Sequence, residues 1–301
     1  MKIAVTGSSG LIGSALVPRL AADGHEVLRL VRRTPRTADE HRWEPAHHRL
    51  PPGLLDDVDA VVNLAGVGVA DHRWTAAHKE AVLCSRVDAT TTVSEAFAAA
   101  ASADPGRARV LLSASAVGFY GDTGDRVVEE DGPAGSDFLA DVCVAWEAAT
   151  APAVDAGIRV ATLRTGLVLA RGGLLGRLAP LFRLGVGGKL GNGRQYMPWI
   201  SLADQVDAIR FLLTAPVSGP VNLTAPTPVT NAAFTAALAD VVHRPALLTV
   251  PGIALQVVLG EFARVGALAG QRAVPAALQA AGYRFSVTDL RTALAQELAR
   301  S

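Results

Sequence analysis

Three observations predict an α/β fold of the Rossmann type, a doubly wound parallel sheet with a smaller, mainly helical substrate lobe. Lys2 to Gly24 reads KIAVTGSSGLIGSALVPRLAADG, a short apolar strand, a glycine-punctuated turn and an amphipathic helix. Short apolar runs then alternate with helical patterns, the signature of parallel βαβ units. With 301 residues, the chain is long enough to bury a full core, as one large domain or two smaller ones.

The first strand is Ile3-Ala4-Val5, and Gly7, Gly10 and Gly13 follow it at intervals of three. Gly7 permits a tight turn, Gly10 lets backbone approach a pyrophosphate, and Gly13 lets the helix lie close on the strand. The N–H groups of Ser9, Gly10 and Leu11, with Ile12 next in line, then face phosphate from a helix N-terminus. A glycine-rich surface turn is the bland alternative; a strand before it and a helix after it favour nucleotide binding. Pro18 falls inside this helix and removes one backbone bond, which predicts a kink with the ring outward.

A second strand spans His25 to Val31, and a loop rich in Arg, Pro and His follows it. Ala60 to Gly66 is a buried strand ending in small residues, and a long helix is expected from Thr75 to Ala101. A strand at Arg109 to Ser113, a helix at Asp137 to Ala156 and a strand at Arg159 to Leu163 continue the alternation. Residues 171–193 hold eight glycines without a clear period, expected as a ligand-wrapping loop, with a flexible linker as the alternative. A helix, Ala203 to Thr214, and a strand, Gly219 to Leu223, return to the sheet. Beyond Pro226 the chain reads as mainly helical, ending in Val287 to Arg300. The expected division is a dinucleotide-binding domain over 1–170, rejoined by 203–223, and a substrate lobe with a C-terminal helical module over 171–301.

Composition narrows the partners. Twenty-eight basic and 28 acidic residues cancel, leaving no electrostatic footprint for nucleic acid or an anionic membrane. The longest apolar stretch, Ala246 to Gly260, is interrupted by Thr249, Pro251, Gly252 and Gln256, and is too short to span a bilayer. The N-terminal strand and glycine turn do not have the pattern of a secretory signal, so a cytoplasmic protein is expected. Cys84 and Cys143 make no disulfide framework. The seven histidines show no ligand spacing and the His47-His48 pair lies in a polar loop, so no metal is expected. A small-molecule substrate is expected; monomer and dimer both stay open.

The residue ending the second strand selects the cofactor in this fold: a carboxylate bonds the ribose 2′-hydroxyl of NAD, an arginine the 2′-phosphate of NADP. Here the strand ends Leu30-Val31-Arg32-Arg33. Val31, 18 residues beyond Gly13, stands where the acid belongs and cannot hold two hydroxyls. Arg32 and Arg33 suit a phosphate, which predicts NADP(H); two ordinary surface arginines are the alternative.

These features, with Asp59 to Gly66 (DAVVNLAG), Ser113 to Gly121 (SASAVGFYG) and Trp199 to Asp204 (WISLAD), resemble the extended short-chain dehydrogenase/reductase superfamily. Within it the chain resembles an atypical branch, the epimerase-family proteins of the YfcH type. That resemblance runs nearly end to end, through Asp71-His72-Arg73-Trp74, Ser85-Arg86, Cys143 to Glu147 (CVAWE), Leu163 to Gly166 (LRTG), Gly191 to Trp199 (GNGRQYMPW), Pro226 to Phe234 (PTPVTNAAF) and a module from about Val250. It implies cofactor contacts at Leu64, Ala65, Gly66, Arg86, Ser113 and Arg164, and pocket roles for Trp74, Gln195 and Trp199. For the two tryptophans, core packing is an equal alternative; for Arg86 and Arg164, pairing with an acid is the ordinary one.

Ordinary members carry Tyr-x-x-x-Lys on the helix after the serine strand, a spacing that puts both side chains on one face. The ammonium holds the nicotinamide ribose and lowers the tyrosine pKa, so that the phenol shuttles a proton. The only lysines are Lys2, Lys79 and Lys189, and neither Thr75 nor Gly185, four residues before the last two, is a tyrosine. By the flanking residues, Leu139 replaces the tyrosine and Cys143 the lysine. Ser115 resembles the serine that binds the substrate oxygen, with Ser113 as the competing alignment. Tyr120 is the first candidate for a substitute proton donor, with packing as its alternative. Cys143 faces the site if the helix keeps its register, although cysteine is among the most buried residue types.

The chain therefore reads as an NADP(H)-dependent oxidoreductase or epimerase-like enzyme acting on a carbonyl or hydroxyl substrate. Two alternatives stand beside it. One is a non-catalytic NADP(H)-binding redox sensor or interaction protein, favoured by the missing pair. The other is a sugar-nucleotide epimerase, disfavoured because that chemistry needs a strong base and a retained NAD.

Overall fold

The apolar opening of the chain forms β1 (Lys2–Thr6), whose Ile3, Ala4 and Val5 are fully buried. The glycine turn leads into α1 (Leu11–Ala22), which runs through Pro18 with the ring exposed. There follow β2 (Glu26–Val31), β3 (Glu40–Arg42), β4 (Ala60–Asn63), α2 (Ala76–Ala103) and β5 (Val110–Ala116). A 3-10 turn, Val117–Tyr120, precedes β6 (Val127–Val128), α3 (Phe138–Ala148), α4 (Ala151–Asp155) and β7 (Arg159–Thr165). The computed structural model describes residues 1–299; the expected helix end at Arg300 and the lobe end at Ser301 lie outside them.

The chain continues through β8 (Leu167–Leu169), α5 (Leu174–Arg183), β9 (Gly188–Leu190), β10 (Tyr196–Met197), β11 (Trp199–Ser201), α6 (Leu202–Thr214) and β12 (Gly219–Leu223). Last come β13 (Val229–Thr230), α7 (Asn231–Val241), β14 (Leu248–Val250), α8 (Gly252–Leu259), β15 (Arg272–Ala273), α9 (Ala276–Ala280) and α10 (Leu290–Ala299).

Seven strands pair in the order β12–β7–β5–β4–β1–β2–β3, all in parallel. Alternate residues serve opposite faces. Ile3, Val5, Val62 and Leu112 pack with Leu16 and Leu20 of α1 and Ile209 and Leu212 of α6. Ala4, Val61 and Leu111 pack with Val93 and Phe97 of α2 and Ala153 of α4. Each such large side chain contributes about 1.5–3 kcal/mol by burial. Strand order reverses between β1 and β4, the point at which open parallel sheets bind ligands beyond their carboxyl ends.

Three elements depart from the sequence reading. The loop after β2 contains β3, a three-residue edge strand, Glu-His-Arg, with no apolar alternation to announce it. The helix expected over 137–156 breaks into α3 and α4 around Thr150, because Pro152 lacks an N–H and starts a new first turn. The glycine-rich segment is not a plain loop. It contains α5, with Leu175, Ala179 and Phe182 buried at i, i+4 and i+7, while its glycines cluster at the two ends.

A second core joins α5, α7 and α10 around Leu175, Phe182, Trp199, Phe234, Leu238 and Leu294. The C-terminal segment is tied to α6 through one carboxylate. Asp204, 1% exposed, accepts from Ser201 Oγ (2.8 Å), Ser286 N (2.7 Å), Ser286 Oγ (2.9 Å), Val287 N (3.1 Å) and Tyr283 OH (3.3 Å).

Candidate cofactor cleft and active site

At the switch point a cleft of about 760 Å³ is lined by the Gly7–Gly10 turn, the end of β2, the loop after β4 and one face of α2. Gly7 has φ +63°, and a Cβ there would lie 2.6 Å from Leu64 O, so only glycine fits. A Cβ on Gly13 would collide with Gly7 O, as expected for a glycine that lets helix meet turn. Gly10 N donates to Gly7 O at 2.9 Å and is spent on the turn itself, contrary to its expected phosphate contact. The N–H groups of Ser9, Leu11 and Ile12 find no acceptor among the described residues, and no side chain caps α1. This end of the helix carries exposed donors and the positive end of its dipole.

The facing wall is held from behind. Thr6 Oγ1 accepts from Leu64 N (2.9 Å) and Ala65 N (3.1 Å) and donates to Asn63 Oδ1 (2.7 Å). Asn63 Nδ2 donates in turn to Thr90 Oγ1 (2.8 Å) and Ser113 Oγ (3.3 Å). Leu64, Ala65 and Gly66 thus border the cleft, whereas Ser113, 1% exposed, serves the wall from inside and is corrected from a cofactor contact to a support. Arg86 is similarly set behind the wall: its Nη1 donates to Val67 O and Val82 O, both at 2.9 Å.

The two arginines at the end of β2 have different fates. Arg33 is clamped by Glu40, Nη1 to Oε2 at 2.7 Å and Nη2 to Oε1 at 2.6 Å. Glu40 also accepts from Arg36 N at 2.7 Å, and these contacts hold its carboxyl at about 2. Arg32 is exposed, borders the cleft and has no hydrogen bond or ion pair among the described residues. The expected pair is therefore one free guanidinium and one already engaged. Sequence reading missed the far wall, Trp43, Ala81, Cys84, Ser85 and Asp88. The last four share one face of α2 at i, i+3, i+4 and i+7, a spacing that could have found them.

The candidate catalytic residues form a sealed network. Ser115 Oγ donates to Glu147 Oε1 at 2.6 Å, and Glu147 grips Arg164 through Nε–Oε1 (2.8 Å) and Nη2–Oε2 (2.9 Å). Arg164 Nη1 donates to Tyr120 OH (3.0 Å) and Glu130 O (2.9 Å), and the phenol donates to Asn222 Oδ1 (2.8 Å). Tyr120 is 2% exposed and burial raises its pKa. As a proton donor it is displaced by this geometry, since its hydroxyl is fully committed inside the core. Arg164, with all its nitrogens engaged and 4% exposed, is likewise moved from cofactor contact to internal ion pair. Cys143 is 4% exposed with Sγ 3.6 Å from Ala116 O, and burial pushes its thiol up to about 11. That excludes a ready thiolate nucleophile at neutral pH.

The expected pocket residues also divide. Trp199 is fully buried in the second core, its Nε1 donating to Thr227 O at 3.2 Å, and does not border the cofactor cleft. Trp74 meets Phe138 and Phe262 with ring centroids 5.1 and 5.4 Å away, between the loop before α2 and the C-terminal segment. Lys79 lies 4.4 Å from the Phe138 centroid and pairs with Glu261 at 3.0 Å. Gln195 Nε2 donates to Leu190 O and Ala267 O, each at 3.2 Å, bracing the same segment. No cluster of metal-ligating side chains occurs among the described residues, and no helix there is long and apolar enough to cross a membrane.

Residues 3–224 match the NAD dependent epimerase/dehydratase family. The chain belongs to that family. Residues 250–297 match a domain of unknown function, DUF1731. An epimerase family protein of Mycobacterium bovis is 51% identical over 97% of this chain and 96% of its own length. The crystal structure of a human epimerase family protein with NADPH superposes with a TM-score of 0.89 at 32% identity, covering 100% of both chains. A structure described as a nucleoside-diphosphate sugar epimerase from Corynebacterium glutamicum gives a TM-score of 0.81 at 41% identity, covering 99% of this chain and 58% of that one.

Proposed function

We propose that this family member binds NADP(H) in the cleft and is an oxidoreductase or epimerase-like enzyme on a carbonyl or hydroxyl substrate, working without the Tyr-x-x-x-Lys pair. The observation that carries the reading is the convergence of an uncapped helix N-terminus, a turn only glycine can make and the unpaired Arg32 on one cleft. The residues fit the cofactor. Ser9, Leu11 and Ile12 offer N–H donors to the pyrophosphate, Gly7 and Gly10 allow close approach, and Leu64, Ala65 and Gly66 form the opposite wall. Arg32 takes the 2′-phosphate, and Arg33, held by Glu40, keeps the loop in shape. The human relative crystallised with NADPH supports this choice over NAD(H).

When bound, the nicotinamide supplies a hydride donor or acceptor at its C4. The chain itself contributes Ser115 for the substrate oxygen. Ser115 is the one member of the network proposed to meet substrate: it is 3% exposed, its hydroxyl proton is directed at Glu147, and its role toward a substrate hydroxyl is that of acceptor. Trp74 and Gln195, at the junction with the C-terminal segment, form the substrate side.

The test is a titration of NADPH and NADH onto the wild type and Arg32→Ala. NADPH is expected to bind at least tenfold more tightly, and the alanine variant to lose most of that margin, as the loss of one charge-assisted phosphate contact predicts. Equal affinities, or tighter NADH, would overturn the cofactor assignment.

The sealing of Tyr120 and Cys143 favours a second reading, a non-catalytic NADP(H) sensor. Loss of NADPH absorbance over a panel of carbonyl compounds and sugar nucleotides separates the two. Turnover that collapses in Ser115→Ala supports the enzyme, and binding without turnover supports the sensor.

A further inference from the structure

Arg86 is 9% exposed, and burial lowers its pKa. No carboxylate pairs with it among the described residues, and the titratable side chain next to it is Cys143, a neutral thiol at pH 7. Nη1 is used on Val67 O and Val82 O, while Nε and Nη2 find no acceptor there, although neither is wholly sealed. The guanidinium lies 4.9 Å from the Trp146 ring centroid, and its Cζ would sit 3.4 Å from a Cβ placed on Gly66. It therefore stands between the wall of the cofactor cleft and the helix face that carries Cys143 in the lysine position.

We propose that Arg86 carries, from α2, the fixed positive charge that the lysine of the usual pair carries from α3, and that this charge makes the site favour the reduced over the oxidised dinucleotide. The inference rests on the cofactor reading above. An oxidised nicotinamide ring bears a positive charge and a reduced one does not, so a nearby cation repels only the former. A guanidinium stays charged throughout the physiological range and has no proton to give at neutral pH. Arg86 thus retains the electrostatic half of the lost lysine without the proton-transfer half. A buried cation lacking a protein carboxylate is costly, and an electron-rich ligand beside it offsets that cost.

The experiment measures dissociation constants of NADP⁺ and NADPH by calorimetry for the wild type, Arg86→Lys and Arg86→Met, with thermal melts confirming folding. The ratio of the two constants is expected to favour NADPH in the wild type. It should survive in the lysine variant and fall about tenfold in the methionine variant, the order expected for removing one unit charge from a buried position behind the cleft wall. Equal weakening of both redox forms in Arg86→Met would reduce Arg86 to a prop for the Val67 wall and overturn the proposal. If that variant does not fold, Arg86→Gln, which keeps a donor for Val67 O, is judged by the same ratio. Failure of the wild type to bind either dinucleotide sinks the cofactor reading as well; binding with an unmoved ratio sinks Arg86 alone.

Discussion

Replacing Glu147 with alanine tests whether the Ser115–Glu147–Arg164 network is the internal brace that its geometry describes. The substitution removes three contacts of 2.6, 2.8 and 2.9 Å and leaves Arg164 with a guanidinium 4% exposed and no counter-charge. Breaking a buried pair by deleting one partner costs roughly 3–5 kcal/mol. Because Glu147 is itself 15% exposed, water reaches part of the vacated space and the lower end applies, about 3 kcal/mol. For a domain of this size that corresponds to a drop in Tm of about 5 °C. Urea unfolding of Glu147→Ala, Arg164→Met and the double variant supplies the comparison. The double variant should lose less than the sum, since it leaves no orphaned charge. A loss below about 1 kcal/mol in Glu147→Ala, with additive effects in the double variant, would refute the buried-pair argument. It would also restore Arg164 as a group free to meet a ligand.

Other outcomes follow from the same geometry. Gly13→Ala drives a methyl into Gly7 O and Ser8 Cα and should cost about 1–3 kcal/mol in chemical denaturation while weakening dinucleotide binding. Alkylation by a maleimide at neutral pH should modify Cys84, which is exposed on the cleft wall, and spare Cys143, whose thiol burial pushes up to about 11. Saturating NADPH should slow the Cys84 reaction, and mass spectrometry distinguishes the two sites. Asp39 and Glu40 are held at about 2 by Arg29 and Arg33, below their ordinary values of 3.8 and 4.5. Their contribution to stability is therefore complete above about pH 4.5 and is lost as pH falls through about 2. Denaturation midpoints between those limits should show a shallower pH dependence in Glu40→Gln than in the wild type; an unchanged slope would show that the Arg33 clamp is not formed in solution.

The amino-acid sequence reveals whatever local chemistry dictates. The Gly7–Gly13 turn was legible because positive φ and backbone contact exclude every other side chain, and the strands of the sheet because burial on both faces makes them continuous apolar runs. β3 was not, since an edge strand of three polar residues owes its pairing to Glu40 reaching Arg33 and Arg29, contacts that sequence spacing does not reveal. α5 was hidden by the glycines around it, although its buried triplet has helical spacing. In the site, the missing tyrosine and lysine were read directly by searching a chain with three lysines. The burial of Tyr120 and Arg164 was not, because it depends on Glu147 arriving from α3, Asn222 from β12 and Glu130 from the β6 region. Residues that meet only through tertiary structure carry no local mark, and Trp199 shows the same limit: a motif tryptophan and a core tryptophan look alike in sequence.

The Asp204 clasp bears on how this chain can be divided. The segments matched as two separate families share one buried carboxylate, whose acceptors are filled by groups from Tyr283, Ser286 and Val287. Excising the C-terminal piece would strand a desolvated anion beneath α6 and uncover the second core. Neither part is an interchangeable cassette. Recombining the sheet of one relative with the terminal piece of another calls for carrying residues 201–204 and 283–287 together, whatever the boundaries drawn by similarity.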